Sequence, residues 1–78
     1  MKRLSDLRPG ESGRVRCVTA AGGMKRRLMD LGLTEGAEAV CLFFAPGQGM
    51  RAYRVRKTVA ALRRRDAESI ILEDRCHE

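Results

Sequence analysis

Cys17, Cys41, Cys76 and His77 are the thiol and imidazole side chains of this sequence, the types that capture soft metals or attack electrophiles. A metal site needs about three or four such donors converging on one point. Cys17 and Cys41 stand far apart and no CxxC pair occurs, so neither a zinc knuckle nor a disulfide framework is written here. Cys76 and His77 are adjacent, and neighbours on an extended chain point to opposite sides, which makes them a poor pair without Cys17 or Cys41 beside them. No metal site is expected, and Cys17 and Cys41 read as small core residues. Catalysis has fewer means still. There is one His, no Ser/His/Asp spacing and no G-x-x-x-x-G-K-[ST], and the loop Gly47-Gln48-Gly49 lacks the lysine and helix of a phosphate cradle. Neither a catalytic residue nor a cofactor is expected.

Charge is the other resource. Sixteen Lys and Arg against ten Asp and Glu give a net charge of +6 on 78 residues, enough to concentrate an acidic surface or a polyanion nearby. Arg63-Arg64-Arg65, with Arg54, Arg56 and Lys57, forms a basic stretch suited to an acidic protein face, membrane phospholipid or nucleic acid, or simply to a solvated flank. Two Phe, one Tyr and no Trp supply few stacking platforms, which disfavours a base-reading surface and leaves phosphate binding open. A small basic nucleic-acid-binding β-barrel is the second reading. Asp66, ahead of Ala67, reads as a cap for a local turn.

The elements that hold these residues must be short, because Pro9-Gly10, Gly13, Gly22-Gly23, Gly32, Gly36 and Pro46-Gly47 cut the chain into small pieces. Arg14 to Thr19 alternates, with Val15 and Cys17 on one side and Arg14 and Arg16 on the other. Ala37 to Phe44 has an apolar row of Val40, Leu42 and Phe44 and an opposite row of Cys41 and Phe43, and predicts a central strand covered on both faces. Arg51 to Arg56 alternates again, Tyr53 and Val55 opposing Ala52, Arg54 and Arg56, and Val59 to Leu62 follows as its antiparallel neighbour. Ile70-Ile71-Leu72 predicts a last short strand pairing with an earlier one, after a brief turn at Arg64 to Ala67. Met24, Leu28 and Leu31 recur at helical spacing, with Gly22-Gly23 before them and Gly32 to end the helix. Length predicts a single domain over residues 1–78. With a basic start, no following apolar run and no stretch of membrane-spanning length, the protein is expected to be soluble. About five short strands and one two-turn helix predict a small barrel, mainly β, since strands this short satisfy their edges by curling.

At this point the residues resemble a family. Arg27-Leu28-Met29-Asp30-Leu31-Gly32-Leu33-Thr34-Glu35-Gly36 is similar to the helix and turn of ferrous iron transport protein A, the FeoA family. Leu4-Ser5-Asp6-Leu7-Arg8-Pro9-Gly10-Glu11 resembles its opening, and Ala45-Pro46-Gly47-Gln48-Gly49 sits where the family carries a Pro-containing hairpin. Ala61-Leu62-Arg63-Arg64-Arg65-Asp66-Ala67-Glu68-Ser69-Ile70 is similar to its closing segment. The likeness runs from about Leu4 to Leu72, with two departures: Gly49-Met50 replaces an Asp-Pro, and Lys57 replaces a glycine, which suggests a looser turn there.

What the resemblance implies is an SH3-like barrel acting beside the membrane transporter for Fe(II), as a non-enzymatic regulator or scaffold. Its partner is then the transporter's cytoplasmic GTP-binding domain, of the FeoB type, and its place the cytoplasm, at the inner membrane only through that partner. No stable nucleic-acid binding is expected, and weak homo-oligomerisation stays open. A similar barrel ends metal-dependent repressors, but no helix-turn-helix is expected ahead of this one. The expected docking residues are Met24, Arg27 and Leu28 on the helix, with Arg63, Arg64 and Arg65. A two-turn helix cannot hide all its apolar residues, and the resemblance assigns Leu28 to the partner and Leu31 to the core.

Overall fold

Alternation fixes the strands, and two bulges decide which residues they bury. A computed structural model describes residues 2–47 and 49–73. Five strands, β1 (Ser12–Val18), β2 (Glu38–Phe44), β3 (Met50–Val55), β4 (Thr58–Arg63) and β5 (Ile70–Leu72), are joined by α1 (Gly22–Asp30) between β1 and β2 and α2 (Arg64–Glu68) between β4 and β5. All pairings are antiparallel, in the order β4-β3-β2-β1-β5. The mainly β, SH3-like architecture expected from the sequence is the one observed.

β1 serves two neighbours in succession. Ser12 to Arg14 pair with β2, and Val15 to Val18 pair with β5. A bulge between Val15 and Cys17 makes the change of partner possible, since an extra residue bends a strand and shifts its side-chain parity. Val15 is buried, Val18 packs against the core, and Cys17 turns outward. The expectation of Cys17 as a core residue therefore fails, while Cys41 is fully buried. Close packing also explains Gly13: a β-carbon there would lie 2.7 Å from Leu72 Cδ1, a side chain held in the core.

β2 is central, as expected, but only one of its faces is covered. Ala37, Ala39 and Cys41 point inward, whereas Val40 and Leu42 are half-buried and Phe43 is 55% exposed. A second bulge, between Cys41 and Phe43, breaks the apolar row that the sequence suggested would continue to Phe44. The inner row consists of small residues because Tyr53, Leu28, Leu33 and Leu62 fill the interior opposite.

The ends of the barrel are closed by local turns. A 3-10 turn at Leu4–Asp6 inserts Leu4, with Leu7 after it, into the core. The Arg3 N–H donates to Asp6 Oδ2 at 2.9 Å, and Tyr53 donates its hydroxyl proton to the Leu4 carbonyl at 3.4 Å. Arg51 stacks over the Phe44 ring at 4.2 Å and donates to the Ser5 carbonyl at 2.9 Å. The looser turn expected at Lys57 falls one residue earlier: Arg56 carries the positive φ of 58° in the β3–β4 hairpin.

Burial pushes the Cys41 thiol above its ordinary pKa, with Arg51 offsetting part of the rise. A thiol that is buried and reluctant to ionise is a poor nucleophile, whereas Cys17 is open to solvent. A brief iodoacetamide pulse on the native chain, read by peptide mapping, should alkylate Cys17 and spare Cys41 until denaturant is added.

Candidate functional site

All three residues of the helical stripe face one cleft. α1 runs from Gly22 to Asp30, and just beyond its C-cap the φ of 102° at Gly32 turns the chain directly against Val55 of β3. Met24, Leu28 and Leu31 lie on the side of the helix that looks toward β4, while Met29 looks toward Cys17 and Leu33 on the other side. Between α1 and the β4–α2 junction runs a cleft of about 320 Å³. Met24, Leu31, Met50, Ala61 and Leu62 supply its apolar lining, and Arg27, Arg63, Arg65 and Asp66 its charged lining.

The cleft brings together five of the six expected docking residues, Met24, Arg27, Leu28, Arg63 and Arg65. Arg64 is not among them. Its guanidinium pairs instead with Glu68 at 3.3 Å, an exposed pair on one helical turn worth only about 0.3–0.5 kcal/mol. The remaining basic residues do not join the patch either. Arg54 and Arg56 line a separate depression with Glu38 and Val40, so the basic stretch of the sequence is divided in space.

Leu28 and Leu31 have exchanged their expected parts. Leu28 is 1% exposed and belongs to the core, while Leu31 is only partly buried at its margin. Leu31 is the last residue before Gly32 turns the chain away, so it sits at the rim, and Leu28, one turn earlier, points straight at the interior. Met24, 37% exposed, is the helix's accessible apolar contact on the cleft side, while Met29, 43% exposed, is accessible on the other side. Asp66 does not cap α2 through its side chain; its carbonyl accepts from the Ser69 hydroxyl at 2.6 Å and its carboxylate side faces the cleft. Met50, which sequence reasoning passed over, reaches the cleft because it opens β3 directly opposite Arg63.

Among the described residues no three of His, Cys, Asp and Glu converge as a metal cage would require. Cys76 and His77 lie outside the described residues. No described helix is long and apolar enough to cross a membrane.

Comparison with known proteins gives a consistent neighbourhood. The family model described as the FeoA domain matches residues 2–74. The solution structure of the FeoA protein of Chlorobium tepidum is 37% identical, with a TM-score of 0.85 over 91% of this chain and 68% of that one. The zinc-complexed FeoA of Stenotrophomonas maltophilia, an SH3 domain protein put forward as an activating factor of bacterial ferrous iron transport, is 27% identical, with a TM-score of 0.81 over 94% and 91% of the two chains. A manganese-dependent transcriptional repressor shares the fold at 20% identity, with a TM-score of 0.82 over 92% of this chain and 40% of that one. No curated protein sequence matches.

The exchange of Leu28 and Leu31 has a measurable consequence. Leu28→Ala should destabilise the chain by about 2–5 kcal/mol, the cost of emptying a packed site, whereas Met24→Ala should cost less than about 0.5 kcal/mol. Urea unfolding followed by circular dichroism distinguishes the two.

Proposed function

The chain belongs to the FeoA family of ferrous iron transport, and from that premise we propose that it is a non-enzymatic accessory protein that docks on the cytoplasmic GTP-binding domain of the Fe(II) transporter. The observation that carries this reading is the cleft beside α1, whose lining combines apolar side chains from α1, β3 and β4 with the arginines Arg27, Arg63 and Arg65. That combination is the usual chemistry of a protein interface: an apolar centre gives affinity by leaving water, and a charged rim steers approach and excludes wrong partners.

Met24 is the apolar anchor, with Leu31 and Met50 beside it. Arg27, Arg63 and Arg65 meet carboxylates on the partner, and Arg is suited to this because its planar fork pairs bidentately and is weakly hydrated. Leu28 takes part from beneath, holding the helix at its distance from β4. On this reading GTP chemistry and iron passage belong to the transporter, and the small protein acts in the cytoplasm by its presence on the transporter's surface.

Deleting the gene should lower Fe(II) uptake. In a pull-down with the transporter's cytoplasmic domain at physiological salt, Met24→Ala should lower retention about fivefold to thirtyfold, the loss of about 1–2 kcal/mol at a hot spot. Arg27→Glu and Arg63→Glu should each weaken it about tenfold or more, and Arg64→Glu should leave it near the wild-type level. Normal uptake in the deletion strain, or equal retention by all four variants, contradicts the reading.

A further inference from the structure

The sheet order leaves two edges, and they are treated differently. β5 is covered on its outer side: the Leu72 N–H donates to the Lys2 carbonyl at 2.8 Å, and Arg3 bridges Ile71. Among the described residues β4 has no such cover. It pairs with β3 alone, Val55 opposite Thr58 across a two-residue turn and Met50 opposite Arg63 at the far end.

The phase of that ladder can be read from its far end. The Arg64 N–H donates to the Gly49 carbonyl at 3.0 Å, so Gly49 and Arg64 continue the ladder as a hydrogen-bonded pair. Hydrogen-bonded and open pairs alternate along an antiparallel ladder. The bonded residues of β4 are then Leu62, Ala60 and Thr58, and the backbone N–H groups of Val59, Ala61 and Arg63 point away from β3. Among the described residues, none of these three N–H groups finds a backbone partner outside the ladder. Val59 is 60% exposed, Ala61 and Arg63 are exposed, and Ala61 and Arg63 also line the cleft whose other wall is α1.

We infer that the bare edge of β4 accepts an extended acidic segment of a partner protein as an added strand, with alternate side chains entering the cleft against Met24 and Leu31. The inference rests on the cleft being the docking surface and names what enters it. Added strands draw affinity from main-chain hydrogen bonds and specificity from pockets for alternate side chains. Charge selects the occupant. Lys57, Arg63 and Arg65 flank the edge, and a second copy paired antiparallel about Ala61 would bring the cationic ends of the two edges, Lys57 of one and Arg65 of the other, toward each other, a like-charge approach that opposes self-pairing. The same residues attract a strand carrying Glu or Asp.

The test uses the full chain labelled with 15N and a peptide of about eight residues alternating valine and glutamate, at physiological salt, with a valine and lysine peptide as control. The glutamate peptide should slow amide hydrogen exchange at Val59, Ala61 and Arg63, and the lysine peptide should not. Ala61→Pro removes one outward N–H at an edge position where proline is tolerated, and should weaken the glutamate peptide about tenfold while the β3–β4 ladder persists. Absence of protection in the wild-type chain overturns the inference, as does equal protection by the lysine peptide or protection by self-association without any peptide. The two readings separate on the transporter domain. Undiminished retention by Ala61→Pro with impaired retention by Arg27→Glu sinks the added strand and spares the cleft, while undiminished retention by both variants sinks the cleft as well.

Discussion

The whole arrangement depends on β1 being shared between two neighbours. A strand of seven residues gives its first half to β2 and its second half to β5, and the bulge between Val15 and Cys17 is the hinge of that exchange. Without it, β5 would have no ladder to join, and Ile70, Ile71 and Leu72, all buried, would lose their place. The same bend carries the chain out to α1 after Val18. The Gly36 N–H then donates to the Val15 carbonyl, and the Val15 N–H to the Ala37 carbonyl, bringing the return of the helix back to the point where β1 changes partner. The position of α1 is thus set by the strand that closes the sheet, and the width of the cleft follows from it.

The ladder itself does not run from β4 to β5. α2 spans that gap, with Ala67 buried beneath it and the 3-10 turn packed alongside. This leaves one edge open next to the helix. A sheet fully closed by hydrogen bonds would have no bare edge, and one with both edges open would invite aggregation. Here residues Lys2 and Arg3 guard the β5 side, and on the β4 side, among the described residues, charge alone stands guard. The mixed chemistry of the cleft, apolar side chains together with three arginines, results from placing an amphipathic helix beside that strand.

Much of this was legible in the sequence because it depends on periodicity and punctuation. Tyr53 and Val55 alternate inward as their spacing requires, Gly32 ends the helix with the left-handed conformation that glycine adopts most readily, and Ile70-Ile71-Leu72 could only be buried. The bulges were not legible, because an extra residue shifts parity without leaving a mark in composition. For that reason alternation alone puts Cys17 and Phe43 on covered faces, whereas the structure exposes both. Leu28 and Leu31 lie on one helical stripe, and period alone cannot tell which sits deeper; the turn at Gly32 decides it. The division of the arginines also needed coordinates, since Arg63 and Arg65 face the cleft while Arg64 between them faces away, a consequence of α2 starting there. The bare edge of β4 has no sequence signature beyond the basic residues at its flanks.

The central claim is that a larger protein meets this one at the cleft between α1 and β4. Titrating the isotope-labelled chain with the transporter's cytoplasmic domain and following methyl and amide chemical shifts tests it most directly. The account predicts that perturbations gather at Met24, Arg27, Leu31, Met50, Ala61, Arg63 and Arg65. Perturbations centred instead on Phe43 and Arg54, across the outer face of the sheet, would contradict it.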